Sequence, residues 1–295
     1  LILDNDQKYF LKVYDKKRTS STKWINAIGQ YMPIVEWLRG HTALKKHVVK
    51  PMLTNSEMYT CEDEEAVYVL SAFIDGYTIG SSPLKLGQVN EIAKILGTLH
   101  RSTEDLPAHL MKQLPRENFD IGFCRSLYKF IKNDLVSKHD AVLRIVKPFA
   151  GYLLDNIKRM KYLAETLKKK PKHYVLCHGD LHYWNMIQSK HIKLIDWECA
   201  NLAPPEQDLI LHIAGQNAEL FLSVYRKYIT SYELDLDALE FYFLKRRLEN
   251  VWEWIQDLRS KEAIKSQEET LKLLRINLIE CTKVTSFRAY LETSV

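Results

Sequence analysis

The sequence predicts an α+β chain of two lobes, a small, mainly antiparallel β lobe followed by a larger helical one. Three observations point there. Residues 1–75 hold short runs of aliphatic and aromatic residues broken by turn chemistry. After Gly76 the apolar residues recur at helical spacing. Later strand signals return only beside one polar loop near residue 180. The joint falls near residues 71–76, which gives lobes of 1–75 and 76–295, the second carrying the polar loop.

The elements follow in order. Leu1 to Leu3 and Lys8 to Tyr14 read as two strands of a hairpin, joined by Asp4-Asn5-Asp6, since Asx side chains bond their own backbone and tolerate left-handed conformations. Ser20 and Ser21 are N-cap candidates for a helix running toward Leu38. Pro33 is expected to kink or split that helix and Gly40 to end it. Val48-Val49, Glu57 to Cys61 and Ala66 to Ile74 read as strands, with Glu62 to Glu65 as a turn. Val89, Ile92, Ala93, Leu96 and Leu99 predict a helix over 88–101, and 120–170 predicts two long ones. Tyr174 to Cys177 and Ile192 to Ile195 are short strands, and Glu206 to about Leu291 is mostly helical.

Composition excludes more than it assigns. Of 295 residues, 46% are hydrophobic and 27% charged, the balance of a globular chain. No apolar stretch is long enough for a transmembrane helix, and Leu1-Ile2-Leu3-Asp4 has no signal-peptide pattern, so the expectation is a cytoplasmic protein away from membranes. The five cysteines are scattered, which suits a reduced compartment and offers no clustered zinc ligands along the chain. The net charge of +5 is spread over solvated faces, so no nucleic-acid partner is expected.

The chemistry sits in residues 174–209. His178-Gly179-Asp180 is followed by Asn185, and Ile192-Lys193-Leu194-Ile195 leads into Asp196-Trp197-Glu198. Asp180 to Asn185 spans one tight loop, and a hairpin between Asn185 and Asp196 returns the second to the first. Phosphoryl transfer needs such a set, because the protein contributes positioning and charge neutralisation to a nearly dissociated phosphoryl group. Asp180 suits the base that orients an attacking hydroxyl. Asn185 and Asp196 supply hard oxygen ligands for Mg2+.

These residues resemble the catalytic loop and metal-binding turn of the aminoglycoside phosphotransferase and choline kinase superfamily, whose fold is protein-kinase-like. The resemblance implies ATP and Mg2+ as cofactors, Asp180 as catalytic base and Asn185 and Asp196 as metal ligands. It also implies that Asp208 braces the catalytic loop from below. Lys12, in the strand Tyr9 to Tyr14, matches the lysine that holds the α- and β-phosphates. Ser71, Ala72, Phe73 and Ile74 match the hinge whose backbone binds adenine. The family pairs its lysine with a helix Glu; Asn26, Gln30 and Glu36 are the candidates here. A Gly-rich loop precedes the lysine by about 15 residues or more in the kinase layout. Only eleven residues precede Lys12 and none is Gly, so the expectation is that this loop and the first strand lie before residue 1.

Leu202 to Leu209 and Arg247-Leu248-Glu249-Asn250 look similar to the spectinomycin phosphotransferase branch. The implied activity is transfer of the γ-phosphate of ATP to a hydroxyl of an aminoglycoside-like or spectinomycin-like antibiotic, a resistance function. Two alternatives stay open: a kinase of an endogenous metabolite such as choline, a sugar or an amino alcohol, and a kinase-like binding or spore-coat protein. His178 and His182 read as loop-holding residues. Trp184 stands where the family has a small residue, often Gly, so it either packs on the helical lobe or faces the acceptor. Glu249, Glu253 and Asp257 share a helix face beside Trp252 and Trp254, either a solvated face or a surface for a cationic acceptor.

Overall fold

The structure, a computed structural model, describes residues 2–4, 7–18, 21–133, 141–171, 173–213, 215–230, 233–260 and 266–294. Leu1, Asn5, Asp6 and the cap candidate Ser20 lie outside the described residues, as does 134–140 of the two expected long helices. In chain order the elements are β1 (Ile2–Asp4), β2 (Gln7–Asp15), α1 (Ser21–His41), β3 (Cys61–Glu62), β4 (Ala66–Ala72), β5 (Tyr77–Thr78), α2 (Leu86–Arg101) and α3 (Ala108–Met111). Then come α4 (Gly122–Asn133), α5 (Ala141–Val146), α6 (Ala150–Lys169), β6 (Val175–Cys177), β7 (Met186–Gln188), β8 (Ile192–Leu194) and β9 (Asn201–Ala203). The chain finishes with α7 (Glu206–Ile213), α8 (Ala218–Tyr225), α9 (Leu236–Arg259), α10 (Gln267–Glu280) and α11 (Val284–Ser294).

By contact the chain forms two compact units, Leu1–Glu117 with His173–Tyr232, and Asn118–Lys172 with Glu233–Val295. Among the described residues, the first unit holds every strand. Its antiparallel sheet runs β1-β2-β4-β3, with β2 paired to β4 from Tyr9↔Ala72 to Asp15↔Ala66. Two smaller antiparallel sheets, β5-β7-β8 and β6-β9, frame the polar loop. The second unit is helical, and its α6 and α9 are tied by a fork from Arg159 to the buried Glu240, both bonds 2.7 Å.

Helix α1 continues through Pro33 to His41, one residue past Gly40, against the expected break. Ile28, Tyr31, Met32, Ile34, Val35 and Leu38 are buried on both sides of the proline. At about 1.5–3 kcal/mol per side chain, burial of these six together exceeds the roughly 3 kcal/mol a helical proline costs. The expected strand at Glu57 to Cys61 shrinks to β3. Glu57 is left-handed at φ 60° in a turn closed by its N–H on Thr54 O at 2.9 Å, so no strand can run through it. Val48-Val49 gives only a single bridge, Val48 to Leu194. Strand β7 is the first arm of the hairpin expected between Asn185 and Asp196. Strand β9 is a difference from the sequence reading; at three residues it is too short for a periodic signal.

Candidate active site

The register of β7 on β8, Met186↔Leu194, sets Asn185 opposite Ile195. The Ile195 N–H donates to Asn185 O at 3.1 Å, which brings Asp196 next to Asn185. Asn185 Nδ2 donates to the Asp180 carbonyl at 2.8 Å and to Asp180 Oδ2 at 3.2 Å. The amide nitrogen is thereby spent on Asp180, and its oxygen is the atom left to meet a hard cation. Asp196 itself is left-handed, φ 61° and ψ 63°. Such backbone is uncommon outside Gly, Asn and Asp, and here it turns the chain immediately after β8. The structure thus brings Asp180, Asn185 and Asp196 to one loop and one turn.

The loop is braced from below. Asp208, 1% exposed, accepts the His178 N–H on Oδ2 at 2.8 Å and the Gly179 N–H on Oδ1 at 3.0 Å. His100 Nε2 lies 3.4 Å from Oδ2, and His100 Nδ1 meets Tyr225 Oη at 2.7 Å. Burial works to raise the Asp208 pKa, but the bonds from His100 and His178 outweigh it and hold it below the ordinary carboxylate value. Gly179 sits at φ 83°, and a Cβ there would lie 2.1 Å from Cys199 O, so only glycine fits. His178 Nε2 lies 2.8 Å from Ile195 O, and burial keeps its pKa low, so the neutral ring donates and links the loop to the Asp196 turn. Trp197 packs against that ring at 4.6 Å.

A cavity of about 250 Å³ opens above the Asp196 turn. Lys12, Asp196, Met32 and Leu194 line it, as do the expected hinge residues Ser71, Ala72, Phe73 and Ile74. The Ala72 and Phe73 N–H groups already donate to Lys50 O at 3.0 Å and Lys8 O at 3.3 Å.

Lys12 takes its partners from the Asp196 turn and not from the expected helix. Its ammonium meets Asp196 Oδ1 at 2.7 Å and Glu198 Oε1 at 2.6 Å, and none of the three helix candidates takes that place. Glu36 accepts instead from Tyr59. Burial opposes the lysine's charge, and the two carboxylates more than offset it, so its pKa is raised. Glu198, 13% exposed, also accepts from Tyr14. Glu198 stands two residues past Asp196 in the sequence, but no spacing rule ties it to a lysine 186 positions earlier.

Cysteine spacing suggested no metal cluster, yet His100, Cys177 and Asp208 converge within 4.8 Å. The Cys177 thiol sits 3.7 Å from the Ala203 and Pro204 carbonyls, and burial pushes its pKa well up, so the group acts as a hydrogen-bonded brace. In the helical unit, Asp257 accepts from Thr270 at 2.9 Å and Trp252 stacks edge-on with Phe130, while Glu253 stays exposed.

A model of the phosphotransferase enzyme family matches residues 1–242. Protein StrN of Streptomyces griseus is 27% identical over 153 residues, 48% of this chain and 46% of that protein, so the chain spans less than half of that relative. The crystal structure of spectinomycin phosphotransferase with ADP and spectinomycin superposes with a TM-score of 0.68 at 19% identity, over 95% of this chain and 87% of that one. Choline kinase LicA from Streptococcus pneumoniae gives 0.60 at 17%, over 97% and 87%. Among the described residues no helix is long and apolar enough to cross a membrane. The fold is the α+β kinase-like fold of these proteins, and the chain belongs to the phosphotransferase enzyme family.

Proposed function

We propose that the chain transfers the γ-phosphate of ATP to a hydroxyl of a small molecule of the spectinomycin or aminoglycoside type. One observation carries the reading: the β7–β8 register sets Asn185 and Asp196 side by side, with Asp180 bonded to the first and Lys12 to the second. In this reading the acceptor oxygen bonds to the γ-phosphorus as the bond to the β,γ-bridging oxygen breaks, and ADP leaves. Asp180 orients the hydroxyl and takes its proton. Asn185 and Asp196 would hold Mg2+, which would neutralise charge on the phosphate oxygens. Lys12 exchanges its grip on Asp196 for the α- and β-phosphates. Ser71 to Ile74 flank the base; with the Ala72 and Phe73 amides engaged, edge recognition falls to Ile74 and to the segment's carbonyls.

The fold shared with choline kinase LicA favours a second reading, an endogenous amino alcohol as acceptor. ADP release with Mg2+ and ATP over a panel of spectinomycin, aminoglycosides, choline and small alcohols separates the two. Spectinomycin or an aminoglycoside should turn over, and Asp180→Ala should lower the rate about 10²–10⁴-fold while ATP still binds. Undiminished transfer by that variant removes Asp180 from the base role.

A further inference from the structure

Trp184 lies in the turn between Asp180 and Asn185, and it is 63% exposed. That exposure leaves most of the ring outside the packing of the helical lobe, one of the two roles its sequence position allowed. A tryptophan gains most from burial, and an aromatic ring left open on a fixed backbone has the character of a binding anchor.

The backbone here is fixed. The Trp184 N–H donates to His182 Nδ1 at 3.2 Å, and His182 Nε2 lies 3.5 Å from Asp180 Oδ2. One imidazole therefore spans the gap from the indole's backbone to the carboxylate. Gly80 supports the ring from the side. Its N–H donates to Tyr183 O at 3.0 Å, its φ is 60°, and a Cβ built on it would lie 3.4–3.5 Å from the benzo edge. The same turn carries a carboxylate, Asp180, joined to the Trp184 backbone through His182. A π face in a turn that also holds a carboxylate suits an ammonium group.

We propose that Trp184 is the platform of the acceptor subsite. It takes an amino alcohol whose cationic group or ring face lies on the indole while a hydroxyl reaches Asp180. This assignment rests on the phosphotransfer reading above. It makes Trp184 a specificity residue, distinct from the groups that handle the phosphate.

The test compares wild type, Trp184→Phe and Trp184→Gly in ADP release with Mg2+ and ATP, using spectinomycin and choline as cationic probes and myo-inositol as a neutral one. The glycine variant should raise the KM for a cationic acceptor about tenfold, the size of a cation–π contact. The phenylalanine variant should recover most of it. The kcat and the KM for ATP should stay within about twofold in both. An unchanged acceptor KM in the glycine variant overturns the proposal, and so does an equal rise in the KM for ATP. Turnover of myo-inositol as good as that of the amino alcohols overturns the charge assignment. If wild type binds ATP yet turns over neither cationic probe, the acceptor class is wrong and the nucleotide site stands. If wild type does not bind ATP, the phosphotransfer reading itself falls and this one with it.

Discussion

Asp208 and Asp196 sit twelve residues apart and are held in opposite ways. Asp208 is sealed from water, and backbone N–H groups and His100 occupy its oxygens. Asp196 is open to solvent at the mouth of a cavity, and its partner is a mobile type of side chain, the Lys12 ammonium. The first arrangement fixes a loop, because a buried carboxylate with satisfied oxygens has no alternative state nearby. The second can change partners, because a half-exposed ion pair is weak enough to break when a better ligand arrives. The site thus separates a rigid support from an exchangeable contact surface.

Removing the support should have the largest effect on folding. Asp208→Ala strands two backbone N–H groups and His100 in a dry interior, and a loss of roughly 3–5 kcal/mol is expected from urea unfolding. Stability within about 1 kcal/mol of wild type would show that the brace is dispensable.

A smaller effect concerns pH. His212, 5% exposed, stacks on Phe221 at 4.9 Å, and burial lowers its pKa to about 4. The unfolded chain takes the proton near pH 6.5, so the neutral ring's contribution is complete above that value and is lost as pH falls from 6.5 through 4. The loss amounts to about 3 kcal/mol over that window. His212→Phe keeps the stack and should flatten the stability profile between pH 6.5 and 4. A profile identical to wild type would assign the acid sensitivity elsewhere.

The same division explains how much was legible in the sequence. Asp180, Asn185 and Asp196 could be read because two short strands and one loop fix their geometry locally. The Asp208 brace was visible only through a family likeness; its bonds to His178 and Gly179 cross about 30 residues. Glu198 as the partner of Lys12 was not legible, since that contact depends on how the first sheet meets the 197–199 turn. Pro33 misled because the breaking rule is local while the burial of Ile34, Val35 and Leu38 is tertiary. The exposure of Trp184 has no signature at all in the spacing of its neighbours.

The claim that Asn185 and Asp196 share one cation is tested most directly by calorimetric titration of ATP, with and without Mg2+, into wild type and Asp196→Asn. Wild type should bind ATP more tightly with Mg2+, and the variant should bind it about equally in both conditions. A Mg2+ dependence in the variant as strong as in wild type would contradict the account.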